Sequence, residues 1–196
     1  MKLAKLTLLS FALLISGLSF AQTTWKLDNA HSNIKFTVTY LVVSEIDGNF
    51  KTFDGSITSS KEDLSDANIN FSVDVASINT DNSMRDQHLL ADDFFAAATY
   101  PKMTFKSTSF KKKAGDKYEL SGDMTIRNVT KKVVFDVKYG GTVKDSYGNT
   151  RAGFKVQGKI NRIEYGISWN SKNEAGNDVV GKDVQFNLNL QFIKSK

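Results

Sequence analysis

No cysteine occurs in the 196 residues, which removes disulfides, thiolate metal ligands, a cysteine nucleophile and lipidation of an N-terminal cysteine together. Stability must come from an apolar interior. Histidine is nearly absent as well: His31 and His88 are the only two, so a metal centre would need both, joined by carboxylates such as Asp86, Asp92 or Asp93. The two histidines lack the close helical spacing of a zinc site, and no metal is expected. Pro101 is the single proline. No glycine-rich phosphate loop precedes a helix, and neither a dinucleotide fingerprint nor a heptad run is present. The net charge of +5, to which Lys2 and Lys5 contribute two, is too mild to imply nucleic acid, and no exposed aromatic platform alternates with basic residues.

Long hydrophobic runs are missing apart from Leu6 to Leu18. This uncharged run follows Lys2 and Lys5 and ends in Ser19-Phe20-Ala21, with small residues at the two positions that a signal peptidase inspects. It is shorter than the ~20 residues that cross a bilayer as a helix. Residues 1–21 therefore read as a secretory signal peptide. Residues 22–196 then form one exported domain, soluble because it has no lipid anchor, and periplasmic if the host has two membranes.

What the chain has in abundance is period-two alternation, which places every second side chain of a strand on one face. Ile34, Phe36, Val38 and Tyr40 alternate with Lys35, Thr37 and Thr39. Ile69, Phe71, Val73 and Val75 do so with Asn70, Ser72 and Asp74. The pattern returns at Tyr118 to Ile126, at Val133 to Tyr139 and, most cleanly, at Val184, Phe186, Leu188, Leu190 and Phe192. Weaker candidates are Trp25–Asp28, Phe50–Ile57, Met103–Phe110 and Phe154–Ile160. About nine strands result, separated by turn-like stretches such as Ala114-Gly115-Asp116, Gly140-Gly141, Ser146 to Asn149 and Glu174 to Asn177. Asp81 to Phe95 does not alternate; Met84 and His88 have helical spacing, and Asp81, Asn82 and Ser83 are candidate N-caps. The fold class expected is all-β with one or two short helices.

An open sheet of this size would expose two aggregation-prone edges. Strands of about ten residues, longer than the usual five or six, suit the tilted staves of an elongated antiparallel, lipocalin-like barrel of about eight strands. Such a barrel can enclose one ligand if its inner side chains leave room. The sequence has 14 phenylalanines, of which only Phe11 and Phe20 precede Gln22. Alternation alone leaves open whether those on the inner face surround a bore or interdigitate into a solid core.

The ordered succession of short motifs resembles the YceI-like family of exported lipid-binding proteins. Trp25-Lys26-Leu27-Asp28 with His31-Ser32 looks like its opening signature; Gly48-Asn49-Phe50, Ile78-Asn79-Thr80, Arg85-Asp86 with His88-Leu89, and Tyr100-Pro101 follow. Later come Leu120-Ser121-Gly122, Arg127-Asn128-Val129-Thr130, and Arg162 with Tyr165-Gly166-Ile167. The resemblance implies a lipocalin-like barrel whose apolar bore holds a polyisoprenoid or related amphiphile. Tyr40, where many relatives have histidine, and Asn128, in place of a common glycine, depart from the pattern.

Residues on the inner phase of the alternating strands are the candidate ligand lining: Phe36, Val38, Phe71, Val73, Phe105, Phe135, Val137, Phe154, Phe186, Leu188 and Leu190. Arg85, His88, Arg127 and Arg162 are candidates for a polar mouth, where they would either meet a head group or tie loops to strand ends. Asp28, His31 and Ser32 supply the residue types of a nucleophilic triad, but roles in a triad are spatial, and a hydrogen-bonded turn is the simpler expectation. Lys111-Lys112-Lys113 would sit in a hairpin, either solvated or in transient contact with anionic lipid. The function expected is storage or transport of a long hydrophobic chain (polyisoprenoid, quinone-like lipid or fatty acyl amphiphile) by a non-enzyme without a cofactor, as monomer or homodimer. The alternatives are a solid-core envelope or stress-response module that binds another protein, and a lipid-modifying enzyme.

Overall fold

The computed structural model describes residues 22–195; the signal-peptide expectation for residues 1–21 lies outside them. Eleven strand segments form: β1 (Thr23–Leu27), β2 (Asn33–Tyr40), β3 (Ser44–Phe50), β4 (Phe53–Ser59), β5 (Asn68–Asp74), β6 (Ile78–Asn79), β7 (Lys102–Ala114), β8 (Lys117–Ile126), β9 (Val129–Lys144), β10 (Thr150–Asn161) and β11 (Val180–Lys194). One helix, α1 (Ser83–Leu90), follows β6.

All ladders are antiparallel, and short segments join end to end as bent staves. Both β1 and β2 run against β11, at Phe192 to Lys194 and from Val180 to Asn189. In the same way β4 pairs with β1 while β3 pairs with β2, and β5 pairs with β4 while β6 pairs with β3. The bends fall at a 3-10 turn over Asn29–His31, at Lys51-Thr52, and at a second 3-10 turn over Val75–Ser77. Counted as staves, the strands make a closed eight-stranded barrel, which leaves few unpaired backbone edges.

The barrel has two different ends. One, the foot, carries residues 60–67 and the β7–β8 and β9–β10 hairpins. The other, the mouth, carries the β2–β3 turn, α1, the β8–β9 turn and the connection from Arg162 to Val179. No ladder joins β3 or β6 to β7 among the described residues, and the gap between them is filled from the segment that contains α1: Phe95 packs edge-on against Phe50 with ring centroids 6.3 Å apart, an ordinary aromatic-pair spacing. Asn82 caps α1, its side chain accepting from the Arg85 N–H at 3.0 Å.

Where β1 bends into β2 the wall is pinned by side chains. Arg151 on β10 donates to Asp28, to Asp145 at 2.6 Å and to the Gln191 side chain at 2.7 Å. The Gln191 N–H donates to the Ser32 hydroxyl at 2.9 Å. One guanidinium thus ties the end of β1, β10, β11 and the β9–β10 hairpin together, its several fixed donors reaching three separate acceptors.

Some expected elements shift. Gly140-Gly141 is not a turn but lies inside β9, where the register slips against Gly153 and Phe154; Gly141 has φ +92°, and the bulge bends the long strand. The candidate Phe50–Ile57 divides at the bend between β3 and β4, and the start of β3 escaped notice because Glu45 and Asp47 flank only one aliphatic residue, Ile46. The helix ends at Leu90, and turns occupy the remainder to Pro101.

The seam has a pH signature. Hydrogen bonds from Arg151 and from the N–H groups of Asn149 and Tyr147 hold the Asp145 carboxyl down at about 2, against an ordinary 3.8. A depressed carboxyl contributes stability above its unfolded value and loses that contribution as pH falls through the folded value. The urea midpoint is expected to drop from about pH 4 to about pH 2. Asp145→Asn should lower it at neutral pH and flatten this part of the profile.

Candidate binding bore

Alternating strands deliver their apolar side chains to the axis, and two cavities lie along it. The foot-side chamber is walled by Phe71, Val73, Phe105, Phe135, Val137, Phe154, Phe186, Leu188 and Leu190, together with Ile34, Ile57, Leu64, Met103, Met124, Val156 and Phe192, among others. The mouth-side chamber is walled by Phe36, Val38, Phe50, Leu89, Phe94, Phe95, Ile160, Arg162, Val184 and others. Met103 and Phe186 belong to both walls, so the chambers abut. All eleven lining residues inferred from alternation therefore stand on the wall of one chamber or the other.

The chambers have cavity volumes of about 100 and 80 Å³. One water needs about 10–15 Å³ on this measure and two to four polar partners. Among the described residues Thr104 is the one polar residue on the foot-side wall, so this space favours hydrocarbon over water. At the foot end Phe110 of β7 reaches Phe154 of β10, three staves away, at 6.5 Å, but most phenylalanines do not meet across the axis. They pair along the wall instead: Phe36 with Phe50 at 5.5 Å, Phe53 with Phe71 at 6.1 Å, Phe105 with Phe135 at 5.8 Å and Phe154 with Phe192 at 5.8 Å. Phe71, Phe105, Met124, Leu188 and Leu190 are inward yet only partly buried, as expected of side chains that border a hollow.

The foot is stoppered. Leu64, 2% exposed, adopts φ +58° and enters the chamber wall. Its loop is held by Asp66, which accepts from the hydroxyls of Ser59 and Ser60 and from the N–H groups of Ser60 and Lys61. These donors keep the Asp66 carboxyl far below its usual range. Leu64, Phe94 and Phe95 were missed by periodicity because they lie on loops; Ile57, Val156, Ile160 and Val184 share the inner phase and were within its reach.

Of the four polar candidates, three are engaged within the mouth. Arg85 donates to the Thr80 hydroxyl and carbonyl, both at 2.7 Å. His88 pairs with Asp93 at 2.9 Å and packs edge-on against Phe94 and Trp169. Arg127 clasps the carbonyls of Phe94 and Gly166, each at 2.6 Å, from a turn in which Arg127 and Asn128 both have positive φ. Asparagine tolerates that conformation, so its replacement of glycine leaves the turn intact.

Arg162 differs. It is 4% exposed and, among the described residues, is the one charged residue on either chamber wall. Its guanidinium donates to the carbonyls of Gly181 (2.9 Å), Ile167 (2.7 Å), Trp169 (2.8 Å) and Val180 (3.1 Å). Four of its five N–H donors are thereby used, and no carboxylate forms an ion pair with it among the described residues. Burial pushes its pKa down, with the Asp178 carboxylate pulling the other way without pairing with it.

The remaining chemical candidates are structural. His31 bonds Asp28 at 2.9 Å, while the Ser32 hydroxyl is turned to the Gln191 backbone, so no triad assembles. Lys113 pairs with Glu119 at 2.7 Å and Lys112 lies over the Tyr118 ring. No group of three or more potential metal ligands occurs among the described residues, and none of their helices is long and apolar enough to cross a membrane.

Comparison with known proteins gives a consistent result. A family model described as the YceI-like domain matches residues 25–192. A UPF0312 protein of Staphylococcus aureus is 35% identical over 171 residues, covering 87% of this chain and 97% of that one. Among solved structures, the Campylobacter jejuni YCEI protein superposes with a TM-score of 0.66 at 28% identity, over 81% of this chain and 90% of that one. BcnA of Burkholderia cenocepacia (TM-score 0.73, 22% identity, 84% and 98% covered) and a polyisoprenoid binding domain from Saccharophagus degradans (0.64, 16%, 87% and 98%) share the fold.

Replacing Arg162 tests its structural share. Arg162→Met removes the donors of four carbonyls, and an unsatisfied buried acceptor costs ~1–3 kcal/mol. A fall in unfolding free energy of at least ~2 kcal/mol is expected in urea titration. A change below ~0.5 kcal/mol would show that the carbonyls find water or other donors.

Proposed function

We propose, for a chain that belongs to the YceI-like family, that the barrel holds one long hydrophobic chain in its two abutting chambers. The observation that carries this reading is the pairing of an almost wholly apolar bore with a single buried cation at the mouth-side chamber. A linear amphiphile has the same distribution: a long apolar tail and a polar end. Each methylene moved from water to the bore gains ~0.8 kcal/mol, offset by ordering of the chain and loss of its freedom.

Polyisoprenoids, quinone-like lipids and fatty acyl amphiphiles all meet this description. The printed name of the Saccharophagus degradans neighbour favours the first. In this reading the tail points to the Leu64 stopper and the polar end sits near Arg162, whose fifth N–H donor is unassigned. Arg85, His88 and Arg127 act one step out, holding the mouth's loops in place. In this reading the protein is a carrier or store rather than an enzyme: among the described residues no side chain near the bore pairs a nucleophile with a base, and burial alone accounts for the site. Export through a cleaved leader at residues 1–21, a periplasmic location and transient contact with a membrane during loading complete the proposal.

The test is direct. Protein secreted from the full-length gene, purified without detergent and extracted with organic solvent under denaturing conditions, should release close to one equivalent of a single lipid class by mass spectrometry. Leu188→Asp, which places a carboxylate in the foot-side wall, should fold with an unchanged circular dichroism spectrum and release none. Recovery of no lipid from the wild type, even after it is offered isoprenoid, quinone and acyl chains, would overturn the carrier reading.

A further inference from the structure

Resting on the carrier reading, we infer that four glycines of the inner wall, Gly48, Gly55, Gly122 and Gly158, set the width of the bore by seating a phenyl ring each. A Cβ built on Gly48 would lie 2.2 Å from Cζ of Phe36; on Gly55, 2.5 Å from Cδ2 of Phe71; on Gly122, 2.4 Å from Cζ of Phe105; and on Gly158, 2.3 Å from Cδ1 of Phe135. Real side chains never come so close, so each ring occupies the place that a methyl group would need. Phe36 faces Gly48 and Phe71 faces Gly55 directly across their ladders, whereas Phe105 reaches Gly122 diagonally, since Gly122 is opposite Ser107. The repetition on four ladders makes this a feature of the wall and not an accident of one turn.

The consequence follows from geometry. A ring that covers a glycine takes the space next to the wall and leaves the axis free, and it shields backbone that would otherwise face the bore. Phe36 borders the mouth-side chamber and Phe71, Phe105 and Phe135 border the foot-side one. With alanine in place of glycine the ring must leave its seat. The wall blocks it on one side, and the hollow receives it on the other. At Gly48 and Gly158 the nearest atoms are all ring atoms, and at Gly55 the nearest backbone atom is the Asn70 carbonyl at 3.5 Å, an ordinary contact. Gly122 is different because the Lys106 carbonyl is also 2.5 Å away, so alanine there would strain backbone as well. Gly55 and Gly158 are accordingly the informative positions: they govern the foot-side chamber, which only a long tail reaches.

The experiment compares solanesol, a long polyprenol, with farnesol, a short one, by competition against a fluorescent fatty acid. Gly158→Ala and Gly55→Ala are expected to weaken solanesol by about tenfold or more and to leave farnesol within about twofold. Removing the displaced ring in Gly158→Ala/Phe135→Ala should restore solanesol. Unchanged solanesol affinity in both single variants, or a loss that the double variant does not restore, would overturn the inference. A structure of Gly158→Ala gives a readout free of ligand: Phe135 turned into the bore supports the role in width, and a Phe135 still on its seat with separated strands refutes it. A wild-type barrel that takes up neither alcohol overturns the carrier reading, and the Phe135 position then decides the inference by itself.

Discussion

Closure of the sheet is the constraint on which the rest of the molecule depends. Once β11 pairs with β10 on one side and with β1 and β2 on the other, every second residue of each stave faces an enclosed space whose width is set by the number of strands. An eight-stranded barrel is only just wide enough for side chains to fill. Whether it fills depends on how the aromatic residues lie, and here most lie along the wall, over glycines and beside one another, with Phe110 and Phe154 meeting across the foot end. The same closure explains the seam: β1 and β2 share the edge of β11 only because the chain bends at Asn29–His31, and the bend is held by Arg151, Asp28 and Gln191. The local network and the global shape are one solution to the same geometric demand.

Arg162 shows how the mouth combines two tasks in one group. Its acceptors, Ile167, Trp169, Val180 and Gly181, lie at the two ends of the long connection between the 3-10 turn at Arg162–Tyr165 and β11. A single guanidinium therefore closes that excursion like a clip. Carbonyl dipoles satisfy its donors but do not neutralise its charge, and a buried cation that no carboxylate directly pairs is costly. Lysine could not do this, because three rotatable donors on a point charge do not reach four carbonyls in a planar fork. The charge that the clip brings with it is what makes one end of the bore unlike the other.

The legible part of this structure was the part that repeats. Alternation located the staves and the inner phase, so residues from Phe36 to Leu190 on the chamber walls followed from parity alone, and the caps around Asn82 marked the helix. Parity is silent on register, however, and register decides that Phe71 meets Gly55 and Phe36 meets Gly48; the same composition in a different register would give a filled core. Loops carry no period, which hid Leu64, Phe94 and Phe95. The glycine pair in β9 misled because a bulge and a turn use the same residue for the same backbone reason. The motifs that carry the family resemblance fall on structural joints: Asp28, His31 and Ser32 at the seam, Arg127 and Asn128 at a tight turn, and Arg162 to Ile167 at the clip.

A hollow core has a thermodynamic corollary. Side chains that border empty space forfeit dispersion contacts on that side, and cavities in proteins lower stability by roughly 24 cal/mol per Å³. The wall must therefore be held by something other than the contents of the bore. In this chain that role falls to the continuous ladders, to the Arg151 seam and to the Asp66-braced stopper, all of which lie in the wall or at its ends. A tail held in the bore as proposed adds contacts there, and such binding adds to the stability of the fold by mass action. In the carrier reading occupancy and stability are coupled, while α1 and the loops clasped by Arg127 stand outside the ladders that keep the barrel closed.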